Sequence, residues 1–249
     1  MMQLSRTHRL RRLSYVRPAD RRPTEQRTLA LDIGTSWIRG LVLDEAGWPV
    51  RPPHKLAYGR TPAPAMPERV VQAVVALIAA VEPFHRVSVG FPGRLCDGIV
   101  VQSPEMGSAW AGYPLAHTLA CRLHCPVRAA NATDIQGWGA ICGSGVEMMM
   151  TLGPRLRASL FLDGVLIPDI RLGNHRLNRG HGGSTRLWSR RVLRLAARLE
   201  TRFGYERLYL GGPYAGHVRA TVLPPNVTIV ASLNALLGGM ALWQDREAW

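Results

Sequence analysis

The chain has 249 residues, 47% of them hydrophobic, which is enough to bury one large core or two smaller ones. Its formal net charge is +14, from 31 basic and 17 acidic residues, and Lys55 is the only lysine. This charge favours a polyanionic partner, although codon bias also produces arginine-rich chains. The longest apolar helical run, residues 73–81, is far shorter than the roughly 20 residues that cross a bilayer, so no membrane span is expected.

Residues 1–27 are strongly basic, with eight arginines against Asp20 and Glu25. We expect a disordered tail, because this composition offers little apolar surface to bury. The segment is too short for a DNA-reading winged helix, which argues against a transcriptional repressor. No apolar core or small-residue cleavage site follows its arginine pairs, so a secretory signal is not indicated and a cytoplasmic protein is expected.

The four cysteines include no Cys-x-x-Cys pair and no histidine at zinc-finger spacing: Cys96, Cys121, Cys125 and Cys142. Neither a zinc site nor a disulfide framework is therefore indicated. Because free cysteines are among the most frequently buried residues, we expect reduced and mostly buried thiols.

The pattern of the first half predicts strands joined by turns and helices. Gly34 interrupts two apolar runs and predicts a hairpin, while Pro67 opens a run with apolar residues at three-four spacing, which predicts a helix. Asp97-Gly98 is typical of a two-residue hairpin turn. The predicted strands are 28–33, 37–43, 86–90 and 127–130, and the predicted helices are 67–81 and 115–123.

The second half repeats this order of hairpin strands followed by strand-helix alternation. Asp163-Gly164 predicts a hairpin between two of its strands. The predicted strands are 147–151, 157–162, 165–168, 207–210 and 227–231, and the predicted helices are 185–203 and 234–243. The repetition predicts two α/β lobes with a cleft between them, at 28–130 and 131–232, with 233–249 as a terminal helix that packs back toward the first lobe.

Several short motifs together carry a family resemblance over about residues 28–243. They are Asp32-Ile33-Gly34, Gly90-Phe91-Pro92-Gly93, the turn at Asn131, Leu172-Gly173, Gly211-Gly212 and the segment 237–243. In this order they resemble the ROK family of sugar kinases, and within it the polyphosphate glucokinases. The resemblance implies a two-lobed actin-like, ribonuclease-H-like fold, a homodimer, and phosphoryl transfer from polyphosphate or ATP to glucose with magnesium.

The general base of that family is missing. The turn that in the family reads Asn-Asp-Ala-Asp is Asn131-Ala132-Thr133-Asp134 here, so a methyl group occupies the position of the proton acceptor. Loss of general-base help typically costs about 10²- to 10⁴-fold in rate. No catalytic residue of the family is intact, and three acids are candidates for a substitute: Asp32, Asp134 and Glu105. If magnesium is used, Asp32 matches the acid that orients its water.

The phosphate-binding loops are altered too. Gly34, Thr35 and Ser36 are what remains of the first loop, in which one glycine is lost. The second loop retains Gly153, but the proline at position 154 has no amide hydrogen to donate. Of the nucleotide-side motif, Gly211 and Gly212 remain. Arginines replace other residues around these loops, and an anionic ligand would meet them: Arg39, Arg155, Arg157 and Arg171.

The sugar-binding motifs are partly retained. The family's Glu-x-Gly-His reads Arg171-Leu172-Gly173-Asn174 here, followed by His175, and its Pro-Asn-Leu reads Pro104-Glu105-Met106. By resemblance, the sugar-binding remnants are Gly93, Glu105, Asn131, Asn174 and His175.

One row of arginines is independent of the resemblance. Arg186, Arg190, Arg194, Arg198 and Arg202 recur every four residues on the predicted long helix, so they form one nearly continuous, slightly slanting row along it. The row is either a solvated face whose stems cover apolar surface or a track for polyphosphate or nucleic acid.

Three interpretations of function remain open. The first is a non-catalytic or strongly impaired relative of polyphosphate glucokinase, a pseudoenzyme that binds an anionic ligand. The second is an active phosphotransferase with a rebuilt site and a different sugar or donor, using magnesium with polyphosphate or ATP. The third is a decayed coding sequence or a simple scaffold without a ligand.

Overall fold

A computed structural model of the chain describes residues 26–50, 56–79, 81–153, 155–168 and 184–244. Its first sheet has five strands in the order β3-β2-β1-β4-β7. The central strand β1 pairs antiparallel with β2 and parallel with β4, and β4 pairs parallel with β7. The strands are β1 Thr28–Ile33, β2 Trp37–Leu43, β3 Ala57–Arg60, β4 Arg86–Phe91 and β7 Val127–Asn131. A separate hairpin contains β5 Arg94–Cys96 and β6 Ile99–Gln102.

The second sheet has the order β10-β9-β8-β11-β12 and repeats the same arrangement of an antiparallel hairpin beside parallel strands. Its strands are β8 Val146–Thr151, β9 Arg157–Leu162, β10 Val165–Ile167, β11 Arg207–Gly211 and β12 Val227–Ile229. Both predicted turns are confirmed. Asp97 and Gly98 have φ of 48° and 76°, and Asp163 and Gly164 have 48° and 82°, as expected where both central residues of a tight hairpin are left-handed.

The helices cover one face of each sheet. They are α1 Pro67–Ile78, α2 Leu115–Leu123, α3 Ala132–Trp138, α4 Thr185–Phe203 and α5 Asn234–Leu237. One buried cluster packs α1 and α2 against the first sheet, and another packs α4 against the second. Helix α4 begins and ends at the predicted residues because its apolar side chains recur at helical spacing until Gly204, which adopts a left-handed conformation and ends it.

The carboxyl-terminal part of the described chain packs on the other face of the first sheet. Leu236 lies in a buried cluster with Ala30, Leu41 and Leu43. The predicted continuous helix over 234–243 is wrong in detail, because it changes to a 3-10 helix at Gly238. A Cβ atom at Gly238 would lie 1.7 Å from the carbonyl oxygen of Ile135, so the close approach to α3 requires glycine there.

The expected burial of the cysteines is also wrong. Cys96, Cys121 and Cys142 are exposed and Cys125 is half-buried, and all four are free thiols. Hairpin and helix surfaces carry them because the larger apolar side chains fill the interior. Strand β3 was not predicted, since its sequence Ala-Tyr-Gly-Arg has no alternating apolar pattern. No helix among the described residues is long and apolar enough to span a bilayer.

Candidate functional site

The candidate site lies where the parallel strands end. In the first sheet, β1, β4 and β7 run in the same direction and end at Ile33, Phe91 and Asn131. In the second, β8 and β11 end at Thr151 and Gly211. The loops that follow these ends carry the turns at Gly34, Gly93, Asn131 and Gly212, where ligand sites in open α/β sheets generally lie.

Asn131 ends β7 and caps α3. Its side-chain oxygen accepts a hydrogen bond from the amide of Thr133 at 2.7 Å, and its side-chain nitrogen donates to the carbonyl of Gly93, also at 2.7 Å. The amide therefore ties two loops of the first sheet together and satisfies the first turn of the helix. Ala132 follows as the first helical residue and is half-buried, so the position of the family's base is in the expected place but holds no acceptor.

Asp134 points toward the second sheet. Its carboxylate accepts a hydrogen bond from the hydroxyl of Ser159 on β9, a side chain that is itself buried. This bond fastens α3 to β9. The carboxylate is thus engaged in a contact within the fold.

Asp32 forms an ion pair across the hairpin. It lies directly opposite Arg39 in the β1–β2 register, and the guanidinium donates to its carboxylate. The side chains are 13% and 24% exposed, so the pair is largely shielded from water. A divalent cation would have to compete with the arginine for this carboxylate. Asp32 is therefore a poor magnesium ligand in this arrangement, and the described residues contain no group of three or more His, Cys, Asp or Glu side chains that could hold a metal.

The turn after β1 is held by its neighbours. The amide of Gly34 donates to the carbonyl of Trp37 at 2.8 Å, and the hydroxyl of Thr61 donates to the carbonyl of Gly34 at 2.7 Å. Thr35 and Ser36 are exposed at its tip. The ring of Trp37 stacks on Tyr58 of β3 at 4.7 Å between centroids, which directs it to the outer side of the hairpin. The loop thus keeps a tight turn and an exposed hydroxyl.

Glu105 joins the two halves of the molecule. It follows β6 in the first half, and its carboxylate accepts a hydrogen bond from the guanidinium of Arg157 at the start of β9. Arg155 approaches the same carboxylate, with 3.8 Å between its Nε and an Oε1 atom. The carboxylate is 13% exposed and the arginines 28–29%, so one acid and two bases form a half-buried cluster with a net charge of +1. Two of the arginines expected to receive an anion thus already contact one.

The glycines of the second sheet pack too tightly to leave room for side chains. A Cβ atom at Gly211 would lie 2.5 Å from the side-chain nitrogen of Gln136 on α3, and one at Gly212 would lie 2.6 Å from the carbonyl oxygen of Leu152. Gly212 also has φ of 86°. The ring of Pro213 lies against Gly153, within 3.8 Å of its ideal Cβ position. Gly212 permits close approach of backbone to backbone, and Gly211 permits close packing of the side chains of Gln136 and Met149, which by itself accounts for these two glycines. The neighbours of Gly153 lie at ordinary contact distance, 3.6–3.8 Å.

Some predicted positions lie outside the described residues. They are the proline at 154 and the sugar-side residues Arg171, Asn174 and His175. Conversely, sequence analysis did not single out Ser159 and Gln136, whose side chains hydrogen-bond to Asp134 and Thr151. Gln136 is buried and accepts a hydrogen bond from the hydroxyl of Thr151 at 3.3 Å. A polar residue on the buried side of α3 was the one available signal.

A fully buried carboxylate, that of Glu147, holds the loop between α3 and β8 in place. Glu147 on β8 accepts hydrogen bonds from the amides of Cys142, Gly143 and Ser144 at 2.9, 2.7 and 3.2 Å, and from the hydroxyl of Tyr209 at 2.6 Å. Burial and the neighbouring Glu147 carboxylate raise the pKa of Tyr209, so the phenol keeps its proton and donates. This network fixes the loop between α3 and β8.

The architecture matches that of known sugar kinases. The structure of the inorganic polyphosphate/ATP-glucomannokinase from Arthrobacter sp. strain KM superposes with a TM-score of 0.75, at 24% identity, over 88% of this chain and 100% of that one. A ROK family glucokinase from Streptomyces griseus, solved with glucose and AMPPNP, gives 0.65 at 16% identity, covering 87% and 98%. The ROK hexokinase from Thermus thermophilus gives 0.60 at 17% identity, covering 86% and 97%.

The chain therefore has the two-lobed, actin-like and ribonuclease-H-like α/β fold of sugar kinases, as predicted. The family assignment is confirmed by a separate finding, since the model of the ROK family matches residues 28–144. That region belongs to the ROK family. No sequence among the curated proteins matches the chain.

Proposed function

We propose that this chain is a glucokinase-like ROK protein in which phosphoryl transfer is lost or strongly impaired. One observation carries the proposal: the base position is Ala132, while each of the three acids that could replace it is bonded within the fold. Asp32 pairs with Arg39, Glu105 with Arg157, and Asp134 with Ser159. A carboxylate that is held by a partner within the fold must give up that contact before it can accept the proton of a sugar hydroxyl.

The same contacts argue against a rebuilt active site. A general base must come within about 3 Å of the proton that it removes. Glu105 is the acid that by resemblance lies nearest the sugar, but its carboxylate is directed to Arg157 and Arg155. Loss of the base alone lowers the rate by about 10²- to 10⁴-fold. The engagement of Glu105 by the two arginines and the proline in the second phosphate loop reduce the rate further.

A coupled assay tests the proposal. Purified protein is supplied with glucose, magnesium and either polyphosphate or ATP, and glucose 6-phosphate is measured. We expect no turnover above the background of protein-free reactions. Ala132→Asp restores the acid, and Ala132→Asn is its matched control, with nearly the same shape but no basic carboxylate. The restored acid is expected to give at most a small rate above the Asn variant, because the phosphate loop stays obstructed. Turnover by the unchanged protein at about 1–100 s⁻¹, the range typical of kinases, would end the proposal.

The arginine row on α4 supports a second role, the binding of polyphosphate. Arg186, Arg190, Arg194, Arg198 and Arg202 are all exposed, whereas Trp188, Val192, Ala196 and Leu199 on the same helix are buried. The row extends for about 24 Å at 1.5 Å per residue. Within the described residues it makes no ion pair, so its like charges repel one another.

The composition of this face favours polyphosphate over a single-stranded nucleic acid. Proteins that bind single strands add exposed aromatic rings on which bases stack. On α4 the ring of Trp188 is buried and that of Phe203 is half-buried beneath Arg202. A flexible inorganic polyanion needs only the charges.

Retention on polyphosphate resin under a salt gradient tests this role. Arg190→Glu with Arg194→Glu is expected to elute at clearly lower salt than the unchanged protein. The matched control is Arg69→Glu with Arg122→Glu, which changes the net charge equally on exposed helices of the other lobe. Equal elution of the two double variants would refute a dedicated track. Stronger competition by single-stranded oligonucleotides than by polyphosphate would assign the face to nucleic acid. The homodimer implied by the family resemblance is a further proposal, which sedimentation equilibrium would check.

A further inference from the structure

A pocket lies near the amino-terminal ends of the parallel strands of the first sheet, whereas the candidate site lies at their carboxyl-terminal ends. It has a volume of about 520 Å³, within the range of small-molecule sites. Its walls include Arg86 and Arg128, near the beginnings of β4 and β7, whereas the candidate site follows the ends of these strands. A strand of six residues is about 17 Å long. The two sites are therefore separated by the length of the sheet.

The pocket is built around a tryptophan flanked by two guanidinium groups. The guanidinium carbons of Arg86 and Arg128 lie 4.9 and 4.6 Å from the centroid of a Trp243 ring. The indole nitrogen of Trp243 donates to the hydroxyl of Ser88 at 2.8 Å, and that hydroxyl donates to the carbonyl of Gly239 at 2.6 Å. The ring is thus fixed on the sheet, and both guanidiniums are held against it.

The arginines retain donors for a ligand. Arg86 uses its Nε to donate to the hydroxyl of Thr28 at 2.8 Å, and Arg128 uses one terminal nitrogen to donate to the carbonyl of Leu242. Each guanidinium has five N–H groups in a planar fork, so several remain on each side chain. These fixed stems lower the entropy that a bound anion would otherwise cost.

The charges of the lining favour an anion. Glu45 is the one acid among the described lining residues, against two arginines. The pKa of Arg86 is lowered chiefly by burial and also by the nearby charge of Arg128, while Glu45 opposes this change. Two cations that repel each other next to a half-buried ring are stabilised when an anion bridges them.

We propose that this pocket binds the phosphate group of a small molecule. The two guanidiniums, which both lie against the Trp243 ring, match the charge and the several oxygens of a phosphate better than the single charge of a carboxylate. The non-ionic part of the ligand lies against Met240 and Trp243, the apolar side chains of the lining. This pocket is independent of the proposed loss of phosphoryl transfer, since none of its residues belongs to the candidate site at the carboxyl-terminal ends of the strands.

Calorimetric titration with inorganic phosphate tests the proposal at constant ionic strength. The unchanged protein is expected to bind phosphate, and Arg128→Gln is expected to weaken the binding about ten- to a hundredfold. Arg69→Gln is the matched control, because it removes one exposed arginine far from the pocket. Arg128→Lys retains the charge without the fork, and it is expected to bind with intermediate affinity.

Two further measurements make the result decisive. Near-ultraviolet circular dichroism of each variant shows whether the tryptophan packing survives, and Arg86→Gln serves instead if Arg128→Gln disturbs it. Acetate is titrated in parallel as a carboxylate. The proposal fails if phosphate does not bind, if Arg128→Gln and Arg69→Gln lose affinity equally, or if acetate binds as tightly as phosphate.

Discussion

The cluster around Glu105 makes a quantitative prediction about how the two halves of the molecule are held together. Replacing Glu105 by alanine leaves Arg157 and Arg155 half-buried without their shared counterion. A hydrogen bond to a charged group contributes about 1.5–3 kcal/mol to stability. Because the arginines are 28–29% exposed and water replaces part of the interaction, we expect a loss of about 1–2 kcal/mol.

A double-mutant cycle isolates the pair. Glu105→Ala, Arg157→Ala and the double variant are unfolded in urea, with far-ultraviolet circular dichroism and tryptophan fluorescence recorded together to check that one transition is observed. The coupling free energy is expected to be about 1 kcal/mol. The internal comparison is Glu68 with Arg122, which lie 3.8 Å apart at 66% and 56% exposure and should couple by less than about 0.5 kcal/mol.

The outcome distinguishes a built contact from an incidental one. If the Glu105–Arg157 coupling does not exceed that of the exposed pair, the cluster does not hold the halves together. Glu105 would then have no structural role in joining the two halves. A second consequence concerns ligands. Glu105→Ala removes the carboxylate that balances Arg155 and Arg157, so it should increase the affinity of the candidate site for phosphate. Arg128→Gln should instead weaken phosphate binding in the pocket beside Trp243.

Two further predictions concern buried groups. Each carboxylate oxygen of Glu147 accepts two hydrogen bonds, so in Glu147→Gln the NH₂ group that replaces one oxygen faces two donors, from the loop 142–144 or from this loop and Tyr209. The free energy of unfolding is expected to fall by about 2–4 kcal/mol, or roughly 4–16 °C in Tm. Tyr209→Phe should cost less. A smaller loss for Glu147→Gln than for Tyr209→Phe in thermal unfolding would contradict the network. Burial chiefly, with the charge of Glu200, raises the pKa of Tyr205 to about 12. Unfolded tyrosine ionises near pH 10, so this stabilisation is complete below pH 10 and is lost as pH rises toward 12; Tyr205→Phe should flatten the fall of Tm in that interval, and an unchanged slope would refute the assignment.

Local signals in the sequence determined most of the fold. The bounds of α4 and β9 could be predicted because a continuous apolar period and an Asp-Gly turn mark them. The edge strand β3 and the break at Gly238 could not, since one has no alternation and the other depends on how closely α3 approaches. The exposure of the cysteines likewise depends on which larger side chains fill the interior.

For the candidate site, sequence predicted positions but not partners. Asn131, Gly93 and Gly211 could be placed at strand ends because motifs and strand signals coincide there. The partners of the acids could not be predicted, since Glu105 and Arg157 are 52 residues apart and Asp134 and Ser159 are 25 apart. Such pairs depend on how the lobes meet, which no local pattern records.

The distribution of these contacts bears on what the motif residues do in this chain. Glycines that permit close packing, such as Gly211 and Gly212, serve the fold and would be needed with or without catalysis. The acids offered as replacement bases are different, because a carboxylate takes a proton only when it comes within hydrogen-bonding reach of the reacting hydroxyl. Here the carboxylates of Asp32 and Glu105 are instead directed to Arg39 and Arg157, contacts that stabilise the folded chain. Restoring an acid at position 132 therefore changes only one of several positions at which the motifs differ from those of the family, and the proline at 154, which has no amide hydrogen to donate, would remain.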